Sequence, residues 1–245
     1  MNQKLLSIGK AAKIIGVTIQ TLRRWDSVGK LKSFRPTTGS HRYYRAEDIE
    51  SFINSDIASI AENWVNNEHA ADPKADFHCQ TRDIFEGRLS KIEKDLVRIN
   101  ISMDLISLIV AITGEIGNNS FDHNLGFWPD VTGIFFGYDL EKKVVVLADR
   151  GQGVLKTLKR VKPSLKNDKE ALKTAFTEII TARAPEERGN GLKFVKEIIT
   201  DNPLTLFFQS GNAKLTLKQD EQTLKIQKTP FGSGLISMAK NGSRK

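Results

Sequence analysis

Four short polar and glycine-bearing motifs stand in fixed order along the last two-thirds of this chain: Glu115-Ile-Gly-Asn-Asn119, Asp149-Arg-Gly-Gln-Gly153, Gly189-Asn-Gly-Leu192 and Phe231-Gly-Ser233. The first lies on an apolar helical stretch and the second closes a strand-like run. The third opens a helical pattern, and the fourth leads into a final apolar strand. An α+β fold is expected.

With 245 residues there is room for a large domain and a small one. Cys79 is the single cysteine, which excludes an internal disulfide framework and a cysteine zinc cluster; a reducing compartment, the cytoplasm, follows. The opening Met-Asn-Gln-Lys lacks the apolar core of a signal peptide. The greasiest run, Leu105 to Ile112, is far short of the ~20 residues of a membrane span. The four histidines are too scattered for a metal site, and no Ser/His/Asp arrangement emerges.

Charge is uneven. Of the net +8, the first 54 residues hold ten Lys or Arg against four acids. Concentrated positive charge is the footprint of a phosphate-backbone partner, and a solvated basic face is the plainer alternative. The chain divides into a head, residues 1–54, a connector, 55–100, and a second domain, 101–245.

In the head, Ser7 precedes a helix in which Ile8, Ala11, Ala12 and Ile15 share a face. Gly16 ends it and Thr18 caps a second helix, with Leu22 and Trp25 inward and Gln20, Thr21, Arg23 and Arg24 outward. Pro36 and Gly39 favour a hairpin or wing flanked by Arg35 and Arg42, and a closing helix runs from Ala46 to Ile53. The pieces Ile8-Gly-Lys-Ala-Ala12, Gly16-Val17, Thr21-Leu-Arg-Arg-Trp25, Gly29-Lys-Leu31 and His41-Arg-Tyr43 resemble the MerR-type winged helix-turn-helix. That resemblance implies that Thr18 to Arg24, including Gln20, Thr21 and Arg23, enter a major groove of double-stranded DNA. Arg35, Arg42 and Tyr43 would touch phosphates. The long dimerisation helix and effector site usual in that family have no counterpart here. A basic three-helix module can also bind protein, and Trp25 and Tyr44 read as core.

Residues 55–75 suit a linker with a short helix. Thr81 to Arg98 reads as an amphipathic helix that either pairs with its copy in a homodimer or packs on its own domain. Residues 101–123 form a helical pattern in which Glu115, Asn119 and His123 stack at intervals of four. An acid above an amide suits a hydrated Mg²⁺ and a polarised water. Two strands, Gly133 to Tyr138 and Lys143 to Ala148, deliver Asp149, whose carboxylate suits an amino group such as that of adenine. Gly151 and Gly153 let the backbone approach a ring. Residues 154–188, rich in lysine, read as a mobile lid or as ordinary solvated charge, and Gly189 to Leu192 place helix N–H groups for phosphates. Leu204 to Gln209, Lys214 to Lys218, Leu224 to Lys228 and Leu235 to Met238 read as strands.

Taken in order, these pieces resemble the GHKL ATPase family of gyrase, ninety-kilodalton chaperones, histidine kinases and mismatch-repair ATPases. The resemblance implies an α/β two-layer sandwich holding ATP. Asn119 would ligate Mg²⁺, Glu115 would orient or deprotonate the attacking water, and Asp149 would read adenine. Gly151, Gly153, Gly189 and Gly191, with Leu192, would shape the base pocket and lid, and Ser233 stands where the family often has Thr. The candidates for a phosphoacceptor histidine ahead of the domain are His69 and His78, which are followed by Ala70 and Cys79, and neither sits well for that role. The leading expectation is a cytoplasmic DNA-binding regulator controlled by Mg–ATP. A protein serine kinase of anti-sigma type acting on a partner protein, and a mobile-element or DNA-processing accessory ATPase, remain open beside it.

Overall fold

The computed structural model describes residues 5–15, 17–27, 29, 31–35, 37, 40–54, 56–66, 73–99, 101–179, 191–221 and 223–240, without the side chains of 50, 51, 53, 54 and 230–240. Packing divides the chain into two compact units, Met1–Ile60 and Ala61–Lys245.

In the first unit, strand β1 (Leu5–Ser7) leads into α1 (Ile8–Ile15) and α2 (Ile19–Ser27), then β2 (Tyr43–Arg45) and α3 (Ala46–Asn54). Ser7 Oγ accepts from the Lys10 N–H at 3.4 Å, and the Val17 N–H donates back to Ala12 O at 3.0 Å, which closes α1. Thr18 Oγ1 accepts from the Thr21 N–H at 3.1 Å and caps α2. Ala11, Ala12, Leu22, Leu31, Tyr44 and Ile49 form the core. Tyr44 is fully buried, and its hydroxyl donates to Leu22 O at 3.3 Å. Trp25 is half-buried with its ring 5.0 Å from Phe52, so both aromatics serve packing. β1 pairs antiparallel with β2, and a bridge between Phe34 and Tyr43 closes the base of the wing. Pro36 and Gly39, expected at its tip, and Gly16, expected to end α1, lie outside the described residues.

Helix α4 (Ile57–Asn66) contains the division between the units. The second unit continues with β3 (His78–Cys79), α5 (Arg82–Arg98), α6 (Met103–Asn124), β4 (Ile134–Asp139), β5 (Val144–Asp149), α7 (Gly153–Leu158), α8 (Asp168–Thr177), α9 (Gly191–Asp201), β6 (Leu204–Lys218) and β7 (Lys225–Lys240). Its sheet is antiparallel throughout, in the order β3-β4-β5-β7-β6, and the whole is α+β. Residue parity on β5 sorts its two faces. Val145 and Leu147 join Ile134 and Phe136 of β4 in a core with α5, α6, α8 and α9. On the opposite face, Phe135 stacks on Phe77 at 5.2 Å and lies 6.5 Å from Trp64.

The apolar side of α5, Phe85, Ile92 and Leu96, is buried in this same core, so the helix packs on its own unit. Two expectations need correction. Of the expected lid, 154–188, residues 154–177 are packed structure, and 180–188 lie outside the described residues: Leu158, Leu165, Ala171, Leu172 and Phe176 are buried while Lys156, Lys159, Lys166, Lys169 and Lys173 lie at exposed positions. The lysine count masked an amphipathic pattern, and the lysines are solvated charge. The four carboxy-terminal strands are two long ones, continuous across irregularities at Gln209/Gly211 and Gly211/Ala213. Gly211, at φ 57°, takes up the bend. No described helix is long and apolar enough to cross a membrane.

Candidate functional site

Helix α6 carries the first motif into contact with the second and third. Asn119 Nδ2 donates to Glu115 Oε1 at 3.0 Å, one helical turn apart, which commits the amide nitrogen and leaves the carboxamide oxygen as the donor atom for a hard cation. Gly191, the first residue of α9, approaches so near that a Cβ there would meet the Glu115 carboxylate. Leu192 is packed against the core beside it. No described group of three His, Cys, Asp or Glu side chains forms a metal site, so a cation here would be held largely by Asn119, water and an anionic ligand.

Asp149 ends β5 on the helix-facing side. Ser120 Oγ donates to its Oδ2 at 2.8 Å, and the Gly151 N–H donates to its Oδ1 at 2.8 Å. Burial pushes the Asp149 carboxyl above its ordinary value, against the downward pull of those two donors. Each carboxylate oxygen keeps a lone pair, so the group can still accept from a ligand amine.

The glycine loop after Asp149 is built onto α6. Asn124, buried, accepts from the Gln152 N–H at 2.9 Å and donates to Ser120 O at 2.8 Å. A Cβ at Gly151 would fall 2.1 Å from Asn124 Nδ2. Gly153 turns the chain at φ 77°, a conformation that favours glycine, and the Val154 N–H donates to Ser210 Oγ of β6 at 3.0 Å. Glu115, Asn119, Asp149, Gly151, Gly153, Gly191 and Leu192 thus all belong to elements joined through α6. Gly189 lies outside the described residues; Ser233 falls within β7 by backbone, and its side chain lies outside them. Ser120, Asn124 and Ser210 escaped the sequence reading. Ser120 and Asn124 could have been found, as polar residues four apart on an apolar helix directly after the first motif.

In the head, Thr18, Gln20, Arg23 and Arg24 are exposed and Thr21 is half-buried, its Oγ1 2.9 Å from Thr18 Oγ1. Arg35 and Arg42 flank the wing, and both bond to Asp26, a partner that the sequence reading missed. Tyr43 is half-buried on β2.

Residues 7–44 match the family described as MerR family regulatory protein. Over 120 residues the chain is 25% identical to the HTH-type transcriptional activator TipA of Streptomyces coelicolor, covering 44% of this chain and 45% of that protein, and equally similar to TipA of Streptomyces lividans. Over 52 residues it is 40% identical to the Type II methyltransferase M.Eco47II of Escherichia coli, covering 21% of this chain and 12% of that protein. The chain therefore spans less than half the length of these curated relatives. With its two capped helices, buried tyrosine and paired strands, the segment 7–44 is a MerR-family helix-turn-helix domain.

Proposed function

We propose that this chain is a DNA-binding transcription regulator of the cytoplasm whose second unit, a GHKL-type sandwich, binds Mg–ATP to control DNA binding or dimerisation. The observation that carries the reading is the meeting, on helix α6, of Glu115, Asn119, the Ser120-held Asp149 and the start of α9 at Gly191. Asp149 would accept the adenine amine between Gly151 and Gly153. Asn119 would hold Mg²⁺ through its carboxamide oxygen, and the ion would supply charge neutralisation at the phosphates. Glu115, its carboxylate placed by the hydrogen bond from Asn119, would orient or deprotonate the attacking water. Gly191 and Leu192, at the start of α9, would present helix N–H groups to the phosphates. Support for the DNA partner is the MerR-family head with Gln20, Arg23 and Arg24 exposed on α2 and Thr21 beside them, together with likeness to a protein named a transcriptional activator.

The test incubates purified protein with Mg²⁺ and ATP labelled on the terminal phosphate, beside Asp149→Asn, and measures DNA affinity with and without nucleotide. Retention of nucleotide by wild type alone, with an accompanying change in DNA affinity, is expected. Equal DNA affinity with and without ATP ends the coupled reading.

A further inference from the structure

Asp26 closes α2 with a carboxylate shared by three donors from the wing side of the head. Its Oδ2 accepts from Arg42 Nε at 2.7 Å and from Arg35 Nη2 at 3.4 Å, and its Oδ1 accepts from the Ser33 N–H at 2.8 Å. The Asp26 side chain is 14% exposed, that of Arg42 29% and that of Arg35 40%. Burial pushes its carboxyl up, but the hydrogen bonds from Arg42, Ser33 and Arg35 outweigh it and hold the group well below the usual carboxylate range. The segment entering the wing and the segment leaving it are therefore fastened to one anion on α2. A guanidinium has five N–H donors, and each of these contacts uses one edge of it.

We propose that Asp26 is a positioning residue of the DNA interface: by gripping Arg42 and Arg35 it fixes both guanidiniums relative to α2, so that their outer N–H groups meet phosphates without rearrangement. This rests on the DNA-binding reading above. Simple electrostatics makes the opposite forecast, since an anion beside a polyanion weakens binding and its removal strengthens it. Preorganisation reverses that sign, because arginines released from Asp26 must be ordered again on binding.

The test measures the anisotropy of a fluorescent mixed-sequence duplex of about 30 base pairs, long enough for phosphate contacts to dominate, against the full chain over a series of salt concentrations. Asp26→Asn is expected to weaken binding about tenfold and to flatten the plot of log affinity against log salt by about 1 to 2, the share of two phosphate contacts. In an Arg42→Gln background the same substitution costs less. Arg42→Lys keeps the charge and loses the planar fork, so it weakens binding several-fold while melting like wild type; it carries the test if Asp26→Asn unfolds the head. Wild-type or tighter binding by Asp26→Asn with an unchanged salt slope, or wild-type affinity for Arg42→Lys, overturns the proposal. If wild type and Arg23→Gln/Arg24→Gln bind the duplex equally, the DNA-binding reading itself falls.

Discussion

Gly191, at the start of α9, stands so close to Glu115 of α6 that a Cβ built on it would lie 1.7 Å from Glu115 Oε1 and 2.5 Å from its Cδ. The third motif therefore limits where the acid of the first can lie. Gly191→Ala meets the far end of a flexible side chain, which can swing away, so thermal stability changes by no more than about 1 kcal/mol. The swing breaks the bond from Asn119 at 3.0 Å. ATP turnover, read as phosphate release under saturating Mg–ATP, is expected to fall about tenfold with folding intact. Unchanged turnover would show that Glu115 does not need this position.

Asp149 gives a pH prediction. Its folded pKa is raised by burial above the ordinary 3.8, so the folded chain keeps a proton that the unfolded chain has lost. Stability falls as pH rises from the ordinary carboxylate range through the raised value, and the loss is complete above it. Asp149→Asn has no such loss and can still accept from the Gly151 N–H. At neutral pH it is expected to melt above wild type while failing to retain ATP, and the gap should narrow as the pH is lowered toward about 4. A variant that melts lower at neutral pH would mean that the hydrogen bonds from Ser120 and Gly151 outweigh desolvation.

Gly117 lets α5 and α6 approach closely, since a Cβ there would lie 2.2 to 2.8 Å from three ring atoms of Phe85. Phe85 is fully buried, 5.4 Å from the Phe136 ring and 6.1 Å from that of Phe121, so it has nowhere to retreat. Gly117→Ala should destabilise the second unit by about 1–3 kcal/mol in urea denaturation, although alanine is the better helix former. A neutral result would mean that the helices separate at little cost.

Legibility followed how local each signal is. The caps at Ser7 and Thr18, the α6 register of Glu115 and Asn119, and the β4–β5 hairpin ending at Asp149 rest on short-range patterns, and all three kinds were readable. Contacts across elements were not. Ser210 binds the Val154 N–H across 56 positions and Asp168 Oδ2 accepts from the Asn212 N–H across 44, and no spacing rule links such pairs. The same holds in the head, where the anion that grips Arg42 is 16 positions upstream. Residues 154–177 misled for a different reason: five exposed lysines drew attention from five buried apolar residues among them.

Arg150 follows Asp149 and, by strand alternation, turns to the opposite face of the sheet. There it is 7% exposed, paired with Asp130, whose side chain is 41% exposed, and it lies 6.0 Å from the centre of the buried Trp64 ring. The pair is lopsided, one ion buried and the other in water. Asp130→Ala strands a buried guanidinium and should cost about 2 kcal/mol, between the values typical of exposed and of fully buried pairs. Arg150→Met keeps most of the packing volume against Trp64, and Asp130, already in water, simply hydrates; its cost should be below about 1 kcal/mol. The double variant should then match Arg150→Met, because the penalty of Asp130→Ala exists only while the buried cation remains. Chemical denaturation of all three measures this. Equal losses for the two single variants would show instead that the guanidinium reaches water in the folded protein and that its packing against Trp64 contributes little.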